Sequence, residues 1–334
     1  ENGSFVQPFN ITDGIELGKN NYMIIDGDSL VTRSDYMPLW FSGNETVSAS
    51  AVFAGYGFSI DEKELKWNDY SEVDVVGKWV IVMRHGPERN NQHSLYTPHS
   101  GLHKKMLVAR DKGAIGIIYV SQVEDTDIYP LKYIAGYSNA GIPAIHLSNE
   151  MADELFKDVG WTRKNIQKKM NKSLKTVTLK LPVTINASVD LNPIQTRAAN
   201  VVGLIESGNR KYRNEYVVIG AHFDHLGTGG AGTGSRKPDT IGIHSGADDN
   251  ASGTSGLLEV AHKLVSQKSR LKRSILLLGF DAEEKGLLGA KYFVENPLVD
   301  LQNIVTMINL DMIGRMKDSS ITVGGVGTSQ LFDP

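Results

Sequence analysis

Tyr216–Asn250 reads YVVIGAHFDHLGTGGAGTGSRKPDTIGIHSGADDN, and the rest of the chain is organised around it. The run Val217-Val218-Ile219 is apolar and β-branched, the composition of a buried strand. It ends in Gly220 and Ala221 and then delivers His222, Asp224 and His225. In an extended chain His222 and Asp224 point to the same side, because side chains alternate with period two. A ligating imidazole commonly donates its other ring N–H to a carboxylate, so the pair fits a ligand with its orienting partner. Further on, Gly246-Ala247-Asp248-Asp249-Asn250 forms a glycine-led turn with two acids and an amide, followed by a helical segment, Ser252–Lys268.

Two more acidic clusters stand at the ends of apolar runs. Ser274–Phe280 leads into Asp281-Ala282-Glu283-Glu284, and Ile304–Leu310 leads into Asp311. In open α/β sheets, ligands bind at the carboxyl ends of the strands. One imidazole and several carboxylates converging there suit a hard or borderline cation, and zinc is the best candidate. Taken alone, an Asp-Glu-Glu run after a strand is usually a solvated helix start.

These segments resemble the co-catalytic di-zinc aminopeptidases of the aminopeptidase Y type, relatives of glutamate carboxypeptidase and the transferrin receptor. AHFDH, GADDNASG, DAEEKGLLGA and NLDMIG carry the resemblance, in that order. It implies a zinc-dependent exopeptidase that hydrolyses N-terminal residues from peptide substrates with two Zn2+ ions. It also implies the roles: Asp248 bridges the metals, His222 and Asp311 complete one zinc, and Glu284 binds the other. Glu283 is the general base, Asp224 orients His222, and Asp249 shapes the turn. His225 is expected to line the pocket without ligating. The sequence departs from the family at one point. The family's last His ligand follows NLDMIG, whereas the last histidine here is His262, ahead of the Glu pair. A catalytic domain incomplete at its C-terminus is the expected reason. A carboxypeptidase on the same metals, with Arg236 or Arg315 binding a substrate carboxylate, is the enzymatic alternative. A non-catalytic scaffold resembling the transferrin receptor is the other.

The chain before residue 190 has a different texture. Trp79–Met83, Ile115–Val120 and Pro143–Leu147 read as buried strands and Gly101–Lys112 as a helix. Ser148 caps a helix through Phe156, and Trp161–Met170 is a basic, surface-type helix. Val177, Leu179, Leu181, Val183 and Ile185 alternate as a one-sided strand, and Pro182 places it at a sheet edge. The phrases GKWVIVMRHGP, GAIGIIYV and GIPAIHLS resemble a protease-associated (PA) domain. From Ala199 the chain alternates strand and helix, with a further strand from Ile321. The expected fold class is therefore α/β: a mostly parallel central sheet with helices on both faces, of zinc exopeptidase type, preceded by an α+β PA-like domain. The expected boundaries are a lead-in over 1–47, the PA-like domain over 48–190 and the catalytic domain over 191–334.

With 334 residues, the length prior suggests two domains. A net charge of −3 argues against nucleic-acid partners, which call for a basic patch. No apolar run approaches the about 18 residues that span a bilayer. The absence of cysteine removes disulfides, thiolate zinc sites and a cysteine nucleophile, and fits an extracytoplasmic protein, secreted or periplasmic, whose signal peptide is not in this chain. Gly227–Gly232 formally matches GxGxxG, but Pro238 follows where a dinucleotide site needs a helix. An Asn-x-Ser/Thr triplet at Asn250 lies inside the acidic turn and is not read as a glycan acceptor.

Overall fold

A computed structural model describes residues 4–328, apart from 92, 126, 127, 135, 138, 140, 231, 232, 238, 317, 318 and 321. Ile321, where a further strand was expected to start, and Gly232 and Pro238 lie outside the described residues, and residues 322–325 are not in a strand. The chain divides into two compact units, one of residues 13–194 and one of 1–12 with 195–334. Residues 1–47, expected as one lead-in, are thus shared between the two.

The chain opens with β1 (Val6–Leu17), which begins in one unit and ends in the other. Then come β2 (Tyr22–Ile25), β3 (Asp28–Leu30), β4 (Tyr36–Pro38), β5 (Thr46–Ala54), β6 (Ser59–Asp61), β7 (Lys66–Asn68) and β8 (Trp79–Met83). They are followed by α1 (Leu102–Asp111), β9 (Gly116–Val120), β10 (Ala144–Leu147), α2 (Asn149–Lys157), α3 (Arg163–Ser173) and β11 (Thr178–Ser188). An eight-stranded sheet runs β3-β2-β11-β5-β8-β9-β10-β4, with β5, β8, β9 and β10 parallel to one another. Every residue of β8 is buried, and alternate residues enter two different core clusters: Trp79, Ile81 and Met83 in one, Val80 and Val82 in the other. Covering on both faces is why this strand is uniformly apolar. Ser148 and Thr162 cap α2 and α3 by accepting the N–H groups of Met151 and Asn165. The basic helix α3 is not purely superficial, since Arg163, Ile166, Gln167 and Met170 form one buried stripe.

Pro182 does not mark an edge. Strand β11 lies inside the sheet between β2 and β5. The ring is tolerated because the pairing with β5 shifts register between Leu181 and Thr184, and β2 pairs only from Ile185 onward. A missing N–H costs no ladder bond at such an irregularity.

The second unit contains β12 (Leu191–Ile205), which begins in the first, then β13 (Tyr216–His222), α4 (Gly253–Ser266), β14 (Ser274–Phe280), α5 (Leu288–Glu295) and β15 (Ile304–Asn309). The sheet order is β1-β12-β14-β13-β15. β13 is parallel to both its neighbours, whereas β12 is antiparallel to β14. The sheet is mixed, not mostly parallel as expected. Residues 206–215 between β12 and β13 contain no helix, and a segment that short reverses the chain instead of carrying a crossover. Leu257 of α4 clusters with Ile219 and Ala221, and Phe293 of α5 with Val218, Leu276 and Leu278. Alternate positions of β13 therefore serve two different helices. Because β13, β14 and β15 are parallel and in register, their carboxyl ends lie along one edge, with His222 opposite Phe280 and Gly220 opposite Asn309. No helix among the described residues is long and apolar enough to cross a membrane.

Candidate metal centre

His222 is the last residue of β13 and is 2% exposed. Its Nδ1 lies 3.2 Å from the backbone carbonyl of Asp224 and 3.6 Å from that residue's carboxylate. The carbonyl, not the carboxylate, takes the Nδ1–H, which leaves the Nε2 lone pair facing outward. Around Nε2 stand Asp249 Oδ1 at 3.3 Å, Asp311 Oδ1 at 3.6 Å and Glu283 Oε2 at 3.9 Å. The Asp224 carboxylate accepts the N–H groups of Glu283 at 2.9 Å and Glu284 at 3.2 Å. Asp224 thus links the end of β13 to the turn after β14, so its part is wider than the expected orientation of one ring.

Two donor clusters emerge, His222 with Asp249 and Asp311, and His225 with Asp249 and Glu284, each with its donor atoms within 4.8 Å of one another. Asp249 belongs to both. The expected bridge, Asp248, belongs to neither. Asp248 turns away from the clusters, where its Oδ1 accepts Gly314 N–H at 2.9 Å and its Oδ2 accepts Arg315 Nε–H at 2.6 Å. The guanidinium holds the Asp248 carboxyl below the usual carboxylate range. This pair also engages Arg315, one of the two cations considered for binding a substrate carboxylate.

His225 departs from expectation too. Its Nδ1 lies 2.6 Å from Glu284 Oε1, both atoms are buried, and neither has a hydrogen-bond partner among the described residues. The two atoms are close without hydrogen-bond alignment. Imidazole nitrogens with carboxylate oxygens are a donor set that zinc accepts. Glu283 belongs to neither cluster. Burial raises its carboxyl pKa, the nearby His222 counteracts this, and neighbouring carboxylates add to it. The structure therefore brings together His222, Asp311, Glu283 and Glu284 of the expected residues, and adds Asp249 and His225.

Residues 200–333 match Peptidase family M28, and residues 43–155 match the PA domain. Aminopeptidase YwaD of Bacillus subtilis (strain 168) is 26% identical over 213 residues, which cover 64% of this chain and 37% of that protein. The glutamate carboxypeptidase 2 homolog of Caenorhabditis briggsae is 26% identical over 328 residues, covering 82% of this chain and 39% of the relative. A solved aminopeptidase from Aneurinibacillus sp. strain AM-1 has 21% identity and a TM-score of 0.43, over 92% of this chain and 60% of that one. A region that matches the PA domain is thus followed by one that matches Peptidase family M28, and the chain spans well under half the length of the two curated relatives.

Proposed function

We propose that this chain carries the metal centre of a zinc-dependent exopeptidase that removes residues from the N-termini of peptides. The observation that carries the reading is the pair of donor clusters sharing Asp249, with the non-ligating carboxyl of Glu283 beside them. His222, Asp249 and Asp311 would hold one zinc, and His225, Asp249 and Glu284 the second. Zinc bound there would polarise a scissile carbonyl and acidify a water. The chain's own residues do the rest. Glu283 stands 3.9 Å from His222 Nε2, in place to accept the water's proton and return it to the departing amine. Asp224 fixes the backbone of Glu283 and Glu284, so the base and the adjacent ligand keep a constant relation to His222.

The N-terminal preference rests on similarity to the aminopeptidase of Bacillus subtilis, and the engagement of Arg315 by Asp248 favours it over capture of a C-terminal carboxylate. An extracytoplasmic location accords with a cysteine-free chain that carries a PA domain. The test is elemental analysis of the dialysed chain together with hydrolysis of matched peptides. About two zinc ions per chain, and cleavage of free but not N-acetylated peptides, are the expected results. A chain that holds no zinc would end the metallopeptidase reading. Equal cleavage of N-acetylated peptides would end the aminopeptidase one.

A further inference from the structure

Asn250 follows the shared carboxylate and is 2% exposed. A carboxamide offers two N–H donors and two acceptor lone pairs, and Asn250 uses all four. Its Nδ2 donates to the carbonyl of His222 at 3.2 Å and to that of Leu310 at 3.0 Å. Its Oδ1 accepts the N–H of Gly253 at 3.0 Å and that of Met312 at 3.2 Å. Two carbonyls on one side and two amides on the other admit a single orientation of the group. An aspartate would leave both carbonyls without a donor, and an aliphatic residue would leave all four groups without a partner.

The places these bonds reach give the network its meaning. One ends on the backbone of His222 itself. Two flank Asp311, at Leu310 and Met312. The fourth pins the start of α4, and Asp249 is the residue immediately before Asn250. Of the first cluster's donors, His222 is therefore bonded to Asn250 through its own backbone, Asp311 is flanked by two residues so bonded, and Asp249 adjoins Asn250 in the chain. We infer that Asn250 is a positioning residue that sets the three donors of the His222–Asp249–Asp311 cluster at their mutual distances before a cation arrives. The same burial and bonding exclude it as a glycan acceptor.

This inference rests on the metal-centre reading, and the experiment separates the two. Zinc is titrated into the full 334-residue chain in competition with a chromophoric chelator, for wild type and for Asn250→Ala, with far-UV circular dichroism as the control for folding. Loss of a group that orients metal ligands typically weakens metal binding by about 10–100-fold, and that weakening is the expected result for a folded variant. A folded Asn250→Ala chain with wild-type zinc affinity overturns the inference and leaves the metal centre standing. A wild-type chain that binds no zinc removes both. A purely structural role would lower the melting temperature and leave the affinity of the folded fraction unchanged. Should Asn250→Ala fail to fold, amide hydrogen exchange of metal-free wild type decides. Protection of the Gly253 and Met312 amides without zinc is expected; exchange at the rate of open amides until zinc is added would overturn the inference.

Discussion

Asp249→Asn removes a carboxylate from both clusters at once, so zinc per chain, measured by elemental analysis after dialysis, should fall by at least half. Asp248→Asn should keep the zinc, because Asp248 is spent on Gly314 and Arg315 and lies in neither cluster. If instead Asp248→Asn loses the metal and Asp249→Asn keeps it, the shared-ligand assignment is wrong. Glu283→Gln should leave zinc content unchanged and slow peptide hydrolysis by about 10²–10⁴-fold, the usual worth of a positioned base. The sequence identified the acidic turn but not which of its acids joins the donor clusters, since neighbouring side chains in a tight turn diverge in ways no periodicity fixes. The approach of His225 to Glu284 was not legible for a related reason. β13 ends at His222, so the period-two rule does not extend to residues 223–225.

At the scale of elements, the approach of α4 to the loop after β15 depends on Gly253. A Cβ at that position would run into the carbonyl of Leu310 and the amide of Asn250. Gly253→Ala should therefore push the start of α4 away from the Asp311 loop, at a cost of about 1–3 kcal/mol of overpacking. Urea unfolding followed by circular dichroism reads the stability, and chelator competition reads the accompanying loss of zinc affinity; an alanine variant equal to wild type in both would show that the contact relaxes freely. Strands such as Trp79–Met83 and Ser274–Phe280 were legible to the residue, because burial on both faces demands an unbroken apolar run. Strand direction and neighbours were not. Pro182 signals a missing donor, and only the pairing partners reveal that a register shift inside the sheet, not an edge, accommodates it. The reversal of β12 similarly depends on which strand it meets, and apolar pattern does not specify that.

Over the whole molecule, the sequence changes texture near residue 190, and the two compact units part between residues 194 and 195. The return of residues 1–12 to the C-terminal unit was not legible, since a lone strand carries no mark of its distant partner. The unit of residues 13–194 holds all four tryptophans, Trp40, Trp67, Trp79 and Trp161, so intrinsic fluorescence reports on it alone. It also holds Asp69, fully buried beneath the N–H groups of Phe58 and Trp67 and the hydroxyl of Thr176. Burial outweighs these donors and the nearby Lys105, and the carboxyl is pushed up from 3.8 to about 6. A folded state that holds the proton more tightly than the unfolded chain is favoured by acid. Asp69 thus contributes stability that is complete below about pH 4 and disappears as the pH rises to about 6, worth at most about 3 kcal/mol for a shift of this size. Other carboxylates with lowered pKa values impose the opposite slope, so the difference between wild type and Asp69→Asn isolates the effect. Asparagine lowers stability throughout, because its NH2 must face one of the three donors. Tryptophan-monitored urea unfolding at pH 4, 5, 6 and 7 should nevertheless show the gap between wild type and variant narrowing as the pH rises, and a gap that stays constant or widens would mean that Asp69 is already ionised at pH 4.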